Sequence, residues 1–279
     1  VDYPGFNFRI MKWAKIEGFE THYYISPQIW AWKENRIKAI KRDVDHMYVI
    51  LPFEKDFYEN KHQFPVHFVG HPLLDAIEKR PQVDEFEFRK AHQLNDKPII
   101  ALLPGSRKQE IKKMLSVMLS VIGDFQNYQF VIAGAPSQDY EFYRQFIKND
   151  QVSFISNKTY DLLSISTAAL VTSGTATLET ALFKVPQVVC YKGNEISYQI
   201  AKRVVNLDYI SLVNLIMDKE VVKELIQGEF NRRQLTTELH KILDTEHRNT
   251  IFYDYFELEQ KLGGSGASKK TADLITKLN

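Results

Sequence analysis

The sequence predicts an α/β protein built from two Rossmann-like, doubly wound parallel sheets, the N-terminal one incomplete. Three observations carry this. Short, continuous apolar runs alternate with segments of helical period, the pattern of parallel strands covered by helices on both faces. The chain has 279 residues, which suits about two domains. Its composition, 44% hydrophobic and 25% charged, is ordinary for a globular protein.

The first unit is assigned residues 1–80. Its strand candidates are "THYYIS" (21–26), "HMYVILP" (46–52) and "VHFVGHP" (66–72), with helices expected over 33–42 and 53–61. This is too short for a complete doubly wound domain, so the first strands of this sheet are expected to be absent. The opening "VDYPGFN" then reads as the end of a strand and the turn that follows it. The second unit is assigned residues 81–246. Strands are expected at 98–105, 128–134, 151–156, 168–174 and 186–192. Helices are expected at 108–122, 138–148, 159–165, 175–183 and 196–205. In the first of these helices Ile111, Met114, Leu115, Met118, Leu119 and Ile122 fall at helical spacing. Two terminal helices, 247–263 and 268–278, are expected to pack back toward the N-terminal domain.

Charge and cysteine usage exclude several classes. Lys+Arg number 36 and Asp+Glu 35, so no global field draws nucleic acid. The single cysteine, Cys190, lies in an apolar strand pattern and reads as a small core residue in a reducing cytoplasm. No apolar run approaches the roughly 20 residues that span a bilayer. His22, His46, His62, His67, His71 and His92 show no HExxH or other metal spacing, so no metal site and no cofactor are predicted. There is no GxSxG elbow.

Four stretches carry chemistry. In "LLPGSRKQE" (102–110) a strand runs through Gly105, Ser106 and Arg107 into a helix. Gly105 permits a tight turn, the free helix N–H groups favour an anion, and Arg107 adds a fork of donors suited to phosphate. The competing reading is an ordinary turn with a solvated arginine. In "TSGTATLE" (172–179) Ser173, Gly174 and Thr175 let backbone approach a pyrophosphate, and Glu179 falls one turn on, within reach of a ribose diol. Here the alternative is a plain N-cap and a surface acid. Two such turns on the carboxyl edge of one parallel sheet favour ligand binding, because open α/β sheets bind ligands there. In "DYISLVNLIM" (208–217) Asn214 stands alone in an apolar run. It reads as a contact to base, sugar or phosphate, or as a buried amide serving local backbone. In "YYISPQIWAWKENRIKAIKR" (23–42) Trp30 and Trp32 precede a segment with five basic residues (Lys33, Arg36, Lys38, Lys41, Arg42) and one acid (Glu34). That pairing suits a membrane surface or an anionic lipid, or else a solvated basic face over core tryptophans. "IKKML" (111–115) is a smaller patch of the same kind.

These blocks, with "ILPFEKDFYE", "FVGHPLLDAI", "LLPGSR", "SGTATLE" and "DYISLVNLI", in this order and over essentially the whole chain, resemble the lipid-A-disaccharide synthase family. The resemblance implies an inverting glycosyltransferase of the two-Rossmann-domain (GT-B) type. It implies transfer of 2,3-diacylglucosamine from its UDP derivative to 2,3-diacylglucosamine 1-phosphate, without a metal, at the inner face of a bacterial inner membrane. Family members open with a glycine-rich "GE(A/T)SGD" loop that this sequence lacks, so a chain missing the first half of its N-terminal domain is expected.

The family's "D-x-P-x-F-N" block matches Asp2 to Asn7, which implies that Asp2 is the base at the interdomain cleft that takes the acceptor hydroxyl proton. The helix starts after Gly105 and Gly174, with Arg107, would stabilise the leaving diphosphate. Glu179 would hold the ribose, Asn214 would lie near the nucleotide, and Tyr191 with 211–215 would line the donor pocket. The implied association is peripheral on the membrane, and a homodimer through exchanged terminal helices is a further expectation. A UDP-sugar epimerase of the same fold and a noncatalytic nucleotide-sugar or lipid-binding module are the alternatives.

Overall fold

A computed structural model describes residues 3–147, 151–193 and 208–278. Its described strands are β1 (His22–Tyr24), β2 (His46–Val49), β3 (His67–Phe68), β4 (Ile99–Leu103), β5 (Gln129–Gly134), β6 (Val152–Ser156), β7 (Ser166–Thr172), β8 (Gln187–Tyr191) and β9 (Glu224–Ile226). The helices used below are α1 (Pro4–Ile16), α2 (Ile37–Asp43), α3 (Pro52–Asp56), α4 (Pro72–Glu78), α5 (Glu85–Ala91), α6 (Lys108–Met118), α7 (Tyr140–Arg144), α8 (Thr159–Ser164), α9 (Thr175–Leu182), α10 (Leu212–Met217), α11 (Arg232–Leu243), α12 (Thr245–Lys261) and α13 (Ala267–Leu278).

The chain divides into two compact units. Among the described residues, one takes 3–80 and 258–278, the other 81–193 and 208–257. In the second unit six strands pair in the order β6-β5-β4-β7-β8-β9, all parallel. Every residue of β4 and β5 is buried, which is why these strands read as unbroken apolar runs. Phe88, Ile99, Ala101, Leu103, Val131, Ala133, Leu162, Ala169 and Val171 pack into one cluster. Ile111, Met114, Leu115 and Met118 are the buried positions of α6, as their spacing demands. The helix gives way at Leu119 to a 3-10 turn reaching Asp124. The helix expected at 138–148 is confined to the five residues of α7, and the one expected at 196–205 lies outside the described residues.

In the other unit β1, β2 and β3 form a parallel sheet over a core of Met11, Tyr23, Ile29, Ile37, Ile40, Met47, Val49, Tyr58 and Phe64. The expected turn at "YPGFN" is instead the start of α1, with Pro4 in its first turn. Proline suits that position because its fixed φ is helical and its missing N–H would have no partner there. The expected helix over 53–61 is α3 followed by a π turn from Phe57 to Lys61. The C-terminal residues join this unit through Asp75 of α4. Its carboxylate accepts from the backbone N–H of Gly266 and, at 3.0 Å, from that of Ser268. The N–H of His71 donates to the carbonyl of Leu262 at 3.1 Å.

Candidate active site

The order of the six-stranded sheet sets where a ligand binds. The chain lays down β4, moves outward through β5 and β6, then returns to pair β7 on the other side of β4. The switch point therefore falls between β4 and β7, and the carboxyl ends of these strands are where open α/β sheets of this kind bind ligands. The two glycine turns of the sequence are the exits of these two neighbouring strands.

In the first turn Gly105 has φ +100°, a left-handed geometry that glycine adopts without strain. The Ser106 N–H donates to Glu110 Oε2 at 3.0 Å, so a carboxylate one turn into α6 braces the loop from inside. The Ser106 carbonyl accepts from Ser137 Oγ at 3.1 Å and Gln138 Nε2 at 3.4 Å, which ties the turn to the exit of β5. Arg107 is the N-terminal boundary residue of α6 and its side chain is exposed.

In the second turn the Ser173 N–H donates to the Cys190 carbonyl at 3.1 Å, and Ser173 Oγ donates to the Ile210 carbonyl at 2.9 Å. Gly174 precedes α9 at φ +154°, ψ −165°, a region essentially restricted to glycine. No side chain caps α9, and Thr175 is exposed at its start. Ser173 is thus committed to holding the turn, while the α9 start faces outward. Glu179 is half-buried, and its Oε1 accepts from the Tyr160 hydroxyl at 2.7 Å. Tyr160 belongs to an open depression of about 420 Å³ lined by Pro136 and residues 157–161, at the carboxyl ends of β5 and β6. Tyr191 ends β8, half-buried, with its carbonyl accepting from Gln227 N–H at 2.8 Å.

Asn214 corrects one expectation. Its side chain is fully buried and all four of its hydrogen-bonding positions are taken. Nδ2 donates to the Val222 carbonyl (2.8 Å) and to Glu224 Oε1 (2.9 Å). Oδ1 accepts from the N–H groups of Val221 (2.9 Å) and Val222 (3.0 Å). Glu224 also accepts from the N–H groups of Ile210 and Ser211, each at 2.9 Å. The polar residue in the apolar run is therefore a scaffold for the Ile210–Ser211 backbone, which in turn holds Ser173. Nothing of it is left to contact a nucleotide. Glu224 was not singled out in the sequence because nothing local marks it.

Asp2 lies outside the described residues. The aromatic–basic stretch separates into two roles. Trp30 is partly buried and its indole N–H donates to Glu54 Oε1 at 3.2 Å. The same carboxylate accepts from Ser26 Oγ at 2.6 Å and from the N–H groups of Ile50 and Leu51. Burial pushes the Glu54 carboxyl up from its ordinary range. Glu54 thus joins the "SPQIW" and "LPFE" motifs, and its first-turn position after Pro52 is the signal that reveals it. Trp32 is exposed, with Lys33 Nζ 4.3 Å and the Arg36 guanidinium 5.6 Å from its ring. In the same unit Phe6, Ile10 and Trp13 are exposed at one-face spacing along α1, beside Arg9, Lys12 and Lys15. Cys190 is fully buried and its thiol is pushed up by burial, as a core residue would be.

Two parallel Rossmann-type sheets place the chain in the GT-B fold class. Solved structures share this fold. The glycotransferase of kitacinnamycin matches with a TM-score of 0.58 at 11% identity, covering 97% of this chain and 73% of that one. The UDP-GlcNAc 2-epimerase from Methanocaldococcus jannaschii matches with a TM-score of 0.55 at 15% identity, covering 96% and 73%.

Sequence similarity then decides within the class. The chain belongs to the lipid-A-disaccharide synthetase family, whose model matches residues 1–277. The lipid-A-disaccharide synthase of Syntrophus aciditrophicus is 40% identical, over 98% of this chain and 73% of that protein. That of Trichlorobacter lovleyi is 37% identical, over 99% and 73%. The chain is a glycosyltransferase of lipid A biosynthesis, and the epimerase reading is not favoured.

Proposed function

We propose that the chain transfers 2,3-diacylglucosamine from its UDP derivative to the 6-hydroxyl of 2,3-diacylglucosamine 1-phosphate, releasing UDP. The observation that supports this substrate pair most directly is the pair of glycine turns on either side of the β4–β7 switch point. The acceptor oxygen attacks the anomeric carbon, the bond from that carbon to the β-phosphate oxygen breaks, and configuration inverts. Asp2 takes the acceptor proton. Negative charge collects on the departing diphosphate, where the α6 and α9 starts and Arg107 supply fixed donors. Glu179, oriented by Tyr160, accepts from the ribose hydroxyls, and Tyr191 borders the donor.

Both substrates carry acyl chains, so the protein works at a membrane surface, on the cytoplasmic side where UDP-sugars are made. The exposed α1 face and the Trp32–Lys33–Arg36 group supply the apolar and cationic contacts such a surface requires. No described helix is long and apolar enough to cross a membrane.

Radiolabelled UDP-diacylglucosamine incubated with acceptor and purified protein tests the reading. Disaccharide 1-phosphate is expected from the parent, with loss of product in Asp2→Asn. Arg107→Gln removes charge-assisted bonds worth about 1.5–3 kcal/mol, a fall of roughly 10–150-fold in kcat/KM. An undiminished rate in both variants sinks the assigned roles. Release of free sugar or an epimerised donor in place of disaccharide sinks the reaction.

A further inference from the structure

We propose that Glu20, His22 and His46 form a binding site for a zinc-class divalent transition metal ion on the three-stranded sheet, apart from the transfer chemistry. The site is absent from any sequence motif because its ligands come from two strands. His22 opens β1 and His46 opens β2, and they are direct partners in the parallel register. Partners in register project to the same face, and so does Glu20, two residues before His22. The two imidazoles stack with centroids 4.9 Å apart and planes 23° apart, so their edges align.

Both Nε2 atoms face one carboxylate. His46 Nε2 is 2.7 Å from Glu20 Oε1, and His22 Nε2 is 3.9 Å from Glu20 Oε2. The three groups offer donor atoms all within 4.8 Å of one another. A tetrahedral ion with bonds near 2.0–2.2 Å separates its ligand atoms by about 3.3–3.6 Å, so small side-chain rotations suffice. Two imidazoles and a carboxylate are a donor set suited to zinc and its neighbours rather than to magnesium or calcium.

A second, independent observation points to a ligand. His22 Nε2 is buried and has no hydrogen-bond partner, whereas its Nδ1 lies 2.9 Å from the Tyr48 hydroxyl. Such an orphaned ring nitrogen needs an explanation. In the metal-bound tautomer Nδ1–H donates to the Tyr48 oxygen, and the Nε2 lone pair is directed toward Glu20. Tyr48 is fully buried, so this outer partner is fixed in place. Placed at the openings of β1 and β2, the ion would be a clasp between two strand entries. Thr21 and Asp45 already bridge the same two entries through hydrogen bonds. His67 stands 6.4 Å from the His46 ring and borders the site without being a ligand.

The test uses untagged protein, stripped with chelator, titrated with Zn²⁺ by calorimetry and with Co²⁺ by visible absorption. One ion per chain with micromolar or tighter affinity is expected, with a raised melting temperature and the absorption bands of a low-symmetry cobalt site. His22→Ala and His46→Ala each weaken binding at least tenfold, Glu20→Gln weakens it, and Tyr48→Phe weakens it roughly tenfold as an outer partner. His67→Ala leaves it unchanged. His46→Gln, nearer in shape, guards against loss of fold, which circular dichroism of the metal-free variants checks. Binding weaker than millimolar overturns the proposal. So does affinity that survives both histidine variants, or that is abolished by His67→Ala alone.

Discussion

Replacing Gly105 by alanine tests how the turn after β4 is built. At φ +100° a side chain costs about 1–2 kcal/mol. The new Cβ would also lie 2.2 Å from Glu110 Oε2 and 2.5 Å from its Cδ, so the carboxylate must swing away. That breaks its bond to the Ser106 N–H. The carboxylate is half-exposed, so the loss is set at about 1 kcal/mol, the low end for a bond to a charged group. Gly105→Ala should therefore cost about 2–3 kcal/mol, and Glu110→Ala about 1. The same bond cannot be lost twice. The double variant should cost about as much as Gly105→Ala alone, leaving a coupling of about 1 kcal/mol, above the roughly 0.3–0.5 within which independent sites add. Thermal unfolding of the four proteins, with UDP titration of each, measures this. Strict additivity, or a Gly105→Ala protein as stable as the parent, would falsify the account of Glu110 as the internal brace of the turn.

Three further outcomes follow from the geometry. Burial lowers the His71 imidazole to about 4, from an unfolded value near 6.5. A depressed histidine contributes stability that is complete above pH 6.5 and lost as pH falls toward 4, about 3 kcal/mol in all. Urea unfolding at pH 7.5 and 4.5 should show this loss, and His71→Asn should flatten it; an identical slope in the variant assigns the loss elsewhere. Asn214→Ala strands several buried donors and acceptors around Glu224 and should cost 3 kcal/mol or more, on the order of 1–3 per unmade bond. A variant with unchanged melting but lost UDP affinity would return Asn214 to the ligand. Trp13→Ala combined with Trp32→Ala should reduce partition onto anionic vesicles at least tenfold, taking about 1.5–3 kcal/mol per large apolar side chain. Salt should weaken the parent's binding, and indifference to both changes would remove this face from the membrane.

The central sheet was legible because β4, β5, β7 and β8 are buried on both faces and leave an apolar imprint no helix period disturbs. Gly105 and Gly174 were legible because their backbone geometry admits little else. α1 was not, because Pro4-Gly5 is equally a turn and a helix start, and only packing of Met11 and Phe8 into the core decides. β9 was hidden because three residues carry no period, and one of them, Glu224, is a buried acid whose three donors come from elsewhere in the chain. Asn214 was visible as an anomaly, but sequence cannot show where an amide spends its hydrogen bonds. Glu20, His22 and His46 were unremarkable in the sequence because parallel register, not spacing, gathers them.

The attachment of Gly266 and Ser268 to Asp75 has a consequence for how the chain comes into being. The unit holding α1 to α4 takes its last pieces from 258 onward, roughly 180 residues after Arg80 leaves the ribosome. At about 5–20 residues per second, those early strands wait on the order of ten to forty seconds for their closing segment. The six-stranded unit, nearly continuous in sequence, can fold in that interval. The strands at 22–68 would then settle after the six-stranded unit, with the exposed face of α1 and the Glu54 knot open to chaperones or membrane until residues 258–278 arrive.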